Sequence, residues 1–242
     1  MTSTGEASSR MTLYLFPIST RSLAIVALKS HLALDCAVEV IDLGRGDQLT
    51  PEYRALNPNG KVPTLKDGEF VLWESNAILF YLAAQRPDSG LWPTDLREQA
   101  DVLRWLTWQS THLDTESYGM VAFEKGSKAV LGLGAPDPAF IARGEENFAR
   151  FAAVLDGHLK GRNWLVGDRL TIADFSMAAV VPSAAHLELP LEQFAEIRRW
   201  YARFSALPAW RDAIAAKDAA MATWFAANSA RTGAINLART PA

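Results

Sequence analysis

The sequence predicts an α/β unit over residues 11–87 followed by an all-helical unit over residues 96–227. Three observations carry this. Short strand-like runs are confined to the first third of the chain. A stretch rich in turn formers, residues 87–95 (PDSGLWPTD), divides the sequence, with 88–95 as the linker. Everything beyond it reads as helix. At 242 residues, with 49% hydrophobic and 21% charged residues, the chain has ordinary globular composition and length enough for a real core.

Residues 12–16 (TLYLF) form a short buried strand that Pro17 ends. Ser19 or Thr20 then starts a helix that runs to His31. Residues 37–43 alternate as a second strand. Thr50 as N-cap with Pro51 at the first helical position opens a short helix to Leu56. A turn-rich segment, residues 57–63 (NPNGKVP), follows. Residues 64–66 and 70–73 are strands, and Asp67-Gly68 between them is a hairpin signal. Ser75 caps a helix over 76–86. The order β-α-β-α-β-β-α, parallel first and antiparallel at the edge, is that of a thioredoxin-like domain.

The second half predicts one long helix over 96–118 and a loop over 123–138, which carries several glycines and two prolines. Helices follow over 139–160, stopped by Gly161, over 171–181, ended by Pro182, and over 191–205 and 209–227. Residues 1–10 are polar and Ser/Thr-rich and read as a flexible extension; residues 228–242 read as a weakly patterned tail.

Several functions are disfavoured at once. A net charge of −3 without a Lys/Arg cluster gives no footprint for nucleic acid. No apolar run approaches the roughly 20 residues of a membrane span. The single cysteine, Cys36, cannot form an internal disulfide, which points to a reducing, cytoplasmic setting. His31, His112, His158 and His186 are scattered, without metal-ligand spacing. Gly132 and Gly134 do not sit at a strand–helix junction, so no dinucleotide site is supported, and there is no Gly-x-Ser-x-Gly elbow.

Three segments can carry chemistry. Residues 17–22 (PISTRS) put hydroxyls at a strand-to-helix junction, where free N–H groups and the helix dipole favour an anion such as a thiolate. Val62-Pro63, ahead of a strand, suits a cis proline, whose kink would leave the Val62 main chain open to an extended peptide, with Lys61 beside it for a carboxylate. Glu74-Ser75 runs from a strand into a helix N-terminus, a place that can hold both charges of an α-amino acid head. Each segment is also an ordinary cap or turn when taken alone.

Together and in this order they resemble the N-terminal signature of the glutathione transferase family: a hydroxyl after the first strand, then N-P-x-G-x-V-P, then E-S-x-A-I. Residues 163–175 (NWLVGDRLTIADF) are similar to that family's folding signature, with Thr171 and Asp174 as a capping box. The resemblance spans about residues 11–215. It implies the glutathione transferase fold and conjugation of glutathione thiolate to hydrophobic electrophiles. Glutathione is then a co-substrate; no metal or other cofactor is implied. Val62, with Pro63 cis, would hold the cysteinyl backbone. Glu74 and Ser75 would take the γ-glutamyl head, Lys61 the glycyl end, and Arg21 would assist.

For the thiol, the tyrosine position of some family branches falls on Leu15, with Tyr14 on the opposite strand face, and Cys36 is far from the cysteine position of others. The serine type remains, with Ser19 first, then Thr20, then Ser22. Asn76 stands where many members carry arginine. Trp105, Trp108 and His112 share a helix face, of which Trp108 and His112 are assigned to the hydrophobic pocket. The resemblance also implies a homodimer. Peroxidase, dehalogenase or isomerase chemistry on the same site, and a non-enzymatic interaction or ligand-carrier protein, are the alternatives.

Overall fold

The computed structural model describes residues 11–228. The expectations for residues 1–10 and for the tail beyond 228 lie outside the described residues. Four strands form one sheet in the order β2-β1-β3-β4: β1 (Met11–Leu15), β2 (Cys36–Val40), β3 (Thr64–Asp67) and β4 (Phe70–Trp73). β1 runs parallel to β2 and antiparallel to β3, and β3 runs antiparallel to β4. Helices α1 (Thr20–His31), α2 (Pro51–Leu56) and α3 (Ser75–Ala84) complete the α/β unit.

Strand alternation sorts β1 between two environments. Leu13 and Leu15 are fully buried with Ile25, Leu28, Leu65, Ile78 and Leu79, in the core that α1 and α3 close. Tyr14 lies against Tyr53 of α2 instead, ring centroids 6.1 Å apart. The second strand is shorter than its alternation suggests and ends at Val40. After it, Ile41 N–H still bonds Leu15 O, and Asp42 already belongs to a turn.

Beyond α3 the chain is helical: α4 (Leu96–Trp108), α5 (Tyr118–Ala122), α6 (Lys128–Leu131), α7 (Pro138–Leu159), α8 (Ile172–Ala178), α9 (Val180–His186), α10 (Ala195–Ser205) and α11 (Pro208–Ala227). Its core holds Phe175, Trp200, Phe204 and Trp210. Asp174 is completely buried. It accepts hydrogen bonds from Leu165 N–H and Trp200 Nε1–H on one oxygen and from Thr171 N–H and Oγ1–H on the other, at 2.9–3.2 Å. The capping box read from the sequence is present.

Three expectations change. The long helix over 96–118 is α-helical only to Trp108; Gln109–Thr115 widen into π-helical turns, and Ser117 breaks the direction at φ −141°, ψ −99°. Most of 123–138 is not loop: Phe123–Ser127 are π-helical and α6 follows, with Gly132 stopping it in the left-handed region at φ 68°. Pro182 does not end a helix. It sits third in α9, where its missing N–H would have had no intrahelical partner in any case.

Candidate functional site

Register brings the three chemical segments to one end of the sheet. Tyr14 pairs with Thr64, and Thr64 pairs with Trp73. The turn after β1, the proline before β3 and the junction after β4 are therefore neighbours.

At the first, Ser19 is the N-cap of α1, and its Oγ accepts from Ser22 N–H at 3.5 Å. A hydroxyl engaged through its lone pair keeps its proton free to donate. No acidic residue occupies the first turn of α1, so the positive end of the helix is not neutralised there. Thr20 turns to the helical unit: its Oγ1 lies 2.8 Å from Tyr118 OH and 2.9 Å from Ser183 Oγ. Complete burial pushes the Tyr118 phenol above its ordinary range, so it stays a neutral partner in this cluster. Ser22 is buried inside α1. Leu15 lies in the core, and the Tyr14 phenol is pushed up by burial and by Glu39.

Arg21 forms an ion pair with Asp114, which lies in the π-helical turns after α4. A cation in the first turn of a helix opposes the dipole, and the carboxylate offsets this. Burial raises the Asp114 carboxyl, and Arg21 acts against the shift.

At the second, the Val62–Pro63 bond is cis. The carbonyl of Lys61 accepts from Tyr53 OH at 2.7 Å and from Asn57 Nδ2 at 2.8 Å, and Asn57 also donates to Thr64 Oγ1 at 3.1 Å. Both Tyr53 and Asn57 are buried, so the turn is clamped from beneath while the Lys61 side chain stays exposed.

At the third, Glu74 occupies φ 73°, ψ 115°, a region that disfavours a side chain. Ser75 is not the N-cap; it is the first residue of α3, and exposed Glu74 holds the cap position without a side-chain cap bond. Asn76 Nδ2 donates to Leu106 O at 3.0 Å and to Ser110 Oγ at 2.9 Å, and its Oδ1 accepts from Ser176 Oγ at 2.7 Å. The neutral amide thus ties the start of α3 to α4 and α8.

Trp108 and His112 stack on each other at 5.7 Å and meet Phe151 of α7 edge-on, at 6.0 and 5.1 Å. Leu106 and Ser110 are the residues that meet α3. The aromatic pair therefore packs the end of α4 and the turns after it against α7. The sequence reading missed Asp114, Tyr118 and Ser183, which meet the start of α1 from 93 to 163 positions away. It also missed a cavity of about 480 Å³ that Asp114 lines together with Gly119, Met120, Phe123 and Phe140. Among the described residues no group of His, Cys, Asp and Glu could hold a metal ion, and no helix is long and apolar enough to cross a membrane.

A thioredoxin-like sheet whose site faces a helical unit defines a class, and comparison with known proteins identifies it. Residues 9–84 match the glutathione S-transferase N-terminal domain and residues 135–208 the C-terminal domain. The chain is 31% identical to glutathione S-transferase 3 of Zea mays, over 84% of this chain and 93% of that one. It is 29% identical to FtsZ-localized protein A of Caulobacter vibrioides, over 76% and 89%. A crystal structure of a glutathione transferase family member from Pseudomonas fluorescens with two glutathione bound superposes with a TM-score of 0.76 at 26% identity, covering 87% of this chain and 94% of that one. The chain belongs to the glutathione S-transferase family.

Proposed function

We propose that this protein conjugates the thiolate of glutathione to hydrophobic electrophiles. The observation that carries the reading is the convergence of Ser19, cis Val62-Pro63 and Glu74-Ser75 at one sheet end. Ser19 donates its O–H to the sulfur, and the N-terminus of α1 adds its partial positive charge, so the thiolate is favoured over the thiol. Thr20 is already engaged by Tyr118 and Ser183, which favours Ser19 between them. Val62 pairs its main chain with the cysteinyl residue, in the manner of an added strand. Lys61 meets the glycyl carboxylate; Glu74 takes the γ-glutamyl ammonium and the start of α3 at Ser75 its carboxylate. Arg21 contributes through the field of its ion pair rather than by direct contact.

The electrophile sits in the Asp114 cavity, whose Met120, Phe123 and Phe140 walls suit an apolar aromatic molecule. The protein contributes orientation and charge stabilisation, and the sulfur makes the new bond to carbon as the leaving group departs. A homodimer is part of this proposal, supported by Phe70, Trp73, Phe80 and Leu103, exposed on β4, α3 and α4. So is a cytoplasmic location, where Cys36 and glutathione both stay reduced.

The test is calorimetric titration with reduced glutathione of wild type and Ser19→Ala, with chlorodinitrobenzene conjugation followed on the same samples. Both should bind, and Ser19→Ala should lose about 100-fold in kcat, the effect of removing one preorganised donor. Absence of binding by wild type at millimolar glutathione sinks the proposal.

A further inference from the structure

We infer that Trp224, in the last helix, is a positioning residue for glutathione that acts through the loop over residues 42–50. The inference rests on the glutathione reading above and adds to it an element of the helical unit.

Helix α11 packs along α1, and its final turns reach the residues that follow β1 and β2. The indole Nε1–H of Trp224 donates to Asp42 Oδ1 at 3.0 Å, across 182 positions of sequence. The same ring meets Phe16 edge-on, centroids 6.0 Å apart. Phe16 joins β1 to the turn that carries Ser19, so one side chain touches two segments of the site.

Asp42 organises the loop it belongs to. Its Oδ1 also accepts from Gly44 N–H at 2.9 Å, and its own N–H donates to Asp47 Oδ2 at 3.0 Å. Gln48 closes the loop from the far side, donating from Nε2 to Leu43 O at 3.3 Å. The end of the loop then bears on the glutathione turn. A Cβ placed on Gly60 would lie 3.2 Å from Gln48 O and 3.6 Å from the Leu49 side chain. Gly60 directly precedes Lys61 and Val62. The contacts therefore run from Trp224 to Asp42, through the loop, to Gly60 and the residues assigned to the glycyl and cysteinyl parts of glutathione.

The path matters because it ties the loop to the helical unit, whereas the loop's turns close on hydrogen bonds within it, such as Arg45 N–H to Asp42 O at 3.1 Å and Asp47 N–H to Asp42 O at 3.3 Å. Its regular structure is one 3₁₀ turn, Asp47–Leu49. A groove of about 600 Å³ opens between Asp42 and Arg45 on one wall and Thr223, Trp224 and Asn228 on the other. Packing between α11 and the loop is thus interrupted beside the bond, and a hydrogen bond to a carboxylate is stronger than a neutral one. Segments with few packed contacts open locally at low cost, and one anchoring bond shifts that equilibrium. The Ser19 hydroxyl is held by the cap of α1 itself, so the effect falls on glutathione affinity and leaves thiol ionisation alone.

The experiment compares wild type with Trp224→Phe, which keeps a ring and loses the donor, Asp42→Ala, which loses the acceptor, and the double variant. Read out are the KM for glutathione, kcat, the pKa of the bound thiol by its thiolate absorbance, and amide exchange of residues 42–50 without ligand. Each single variant should raise the KM about three- to tenfold, the scale of one hydrogen bond to a charged group reduced by transmission through the loop. Both should leave kcat and the thiol pKa unchanged and speed exchange in the loop. The double variant should be no worse than either single one, because the two partners make one interaction. Unchanged KM, additive losses, or a fall in kcat with a shifted thiol pKa overturns the inference. If wild type binds no glutathione, the glutathione reading fails on its own; the clasp is then decided by exchange, which supports it if faster in Trp224→Phe and overturns it if unchanged.

Discussion

Asp174→Ala should unfold this protein more readily than any other single carboxylate change in the helical unit. The substitution strands three buried N–H donors, those of Leu165, Thr171 and the Trp200 indole, because all three now end on one side chain at 2.9–3.0 Å. The Thr171 hydroxyl can rotate away. Orphaned buried donors cost about 1–3 kcal/mol each; with relaxation around the smaller side chain the loss comes to about 4 kcal/mol. That is a large part of a typical domain's stability and corresponds to a fall in Tm of about 8–16 °C in a chain of this size.

The same group has a pH signature. Burial pushes Asp174 up to about 6 from an ordinary 3.8, against the pull of its four donors. Between those values the folded state binds the proton and the unfolded state does not, so this group's contribution falls as pH rises. Against Asp174→Asn, which cannot titrate, wild type should gain up to about 3 kcal/mol as pH falls from 7 to 4. Urea melts of wild type and both variants across this range are the assay. A cost below about 1 kcal/mol for Asp174→Ala, or a wild-type advantage over Asp174→Asn that shrinks on acidification, refutes the reasoning.

Two further outcomes are expected. Thr20→Val removes the hydroxyl shared with Tyr118 and Ser183, and should cost about 1 kcal/mol in chemical denaturation while leaving conjugation near wild type; a loss like that of Ser19→Ala would move the thiol role to Thr20. In Gly119→Ala the new Cβ runs into the carbonyl of Asp114, so the π-helical turns must shift. A cost of about 1–3 kcal/mol is expected, together with weaker binding of the electrophile, and melting curves beside electrophile KM values would show both.

Much of the site was legible because it is built from local signals. Ser19 caps α1, Thr50-Pro51 opens α2, Val62-Pro63 is cis, and Asp67-Gly68 turns the hairpin. Each depends on a few consecutive residues whose φ preferences and hydrogen-bonding groups decide the backbone. Where two local signals competed, reading by type failed. Ser75 looks like a cap by composition, but the chain kinks one residue earlier, at Glu74, a conformation no propensity favours. Pro182 looks like a stop, although its place in the first turn of α9 makes it harmless. The glycines and prolines of 123–138 suggested a loop, yet Glu124 and Lys128, bridged at 2.6 Å, and the Asp137 N–H that Glu124 also holds carry the helix on to Leu131.

By itself, then, the sequence determined the two units, the order of the strands and helices in the first, and which residues stand at the sheet end where glutathione is proposed to bind, since period, caps and turns are properties of neighbouring residues. Only the tertiary structure decided that Thr20 meets Tyr118 and Ser183, that Arg21 is paired with Asp114, that Trp108 and His112 face α7, and that Trp224 reaches Asp42. Those pairings join residues about 40 to 180 positions apart. Such contacts form when helices pack to bury apolar surface, and no local preference encodes which side chains that packing brings face to face.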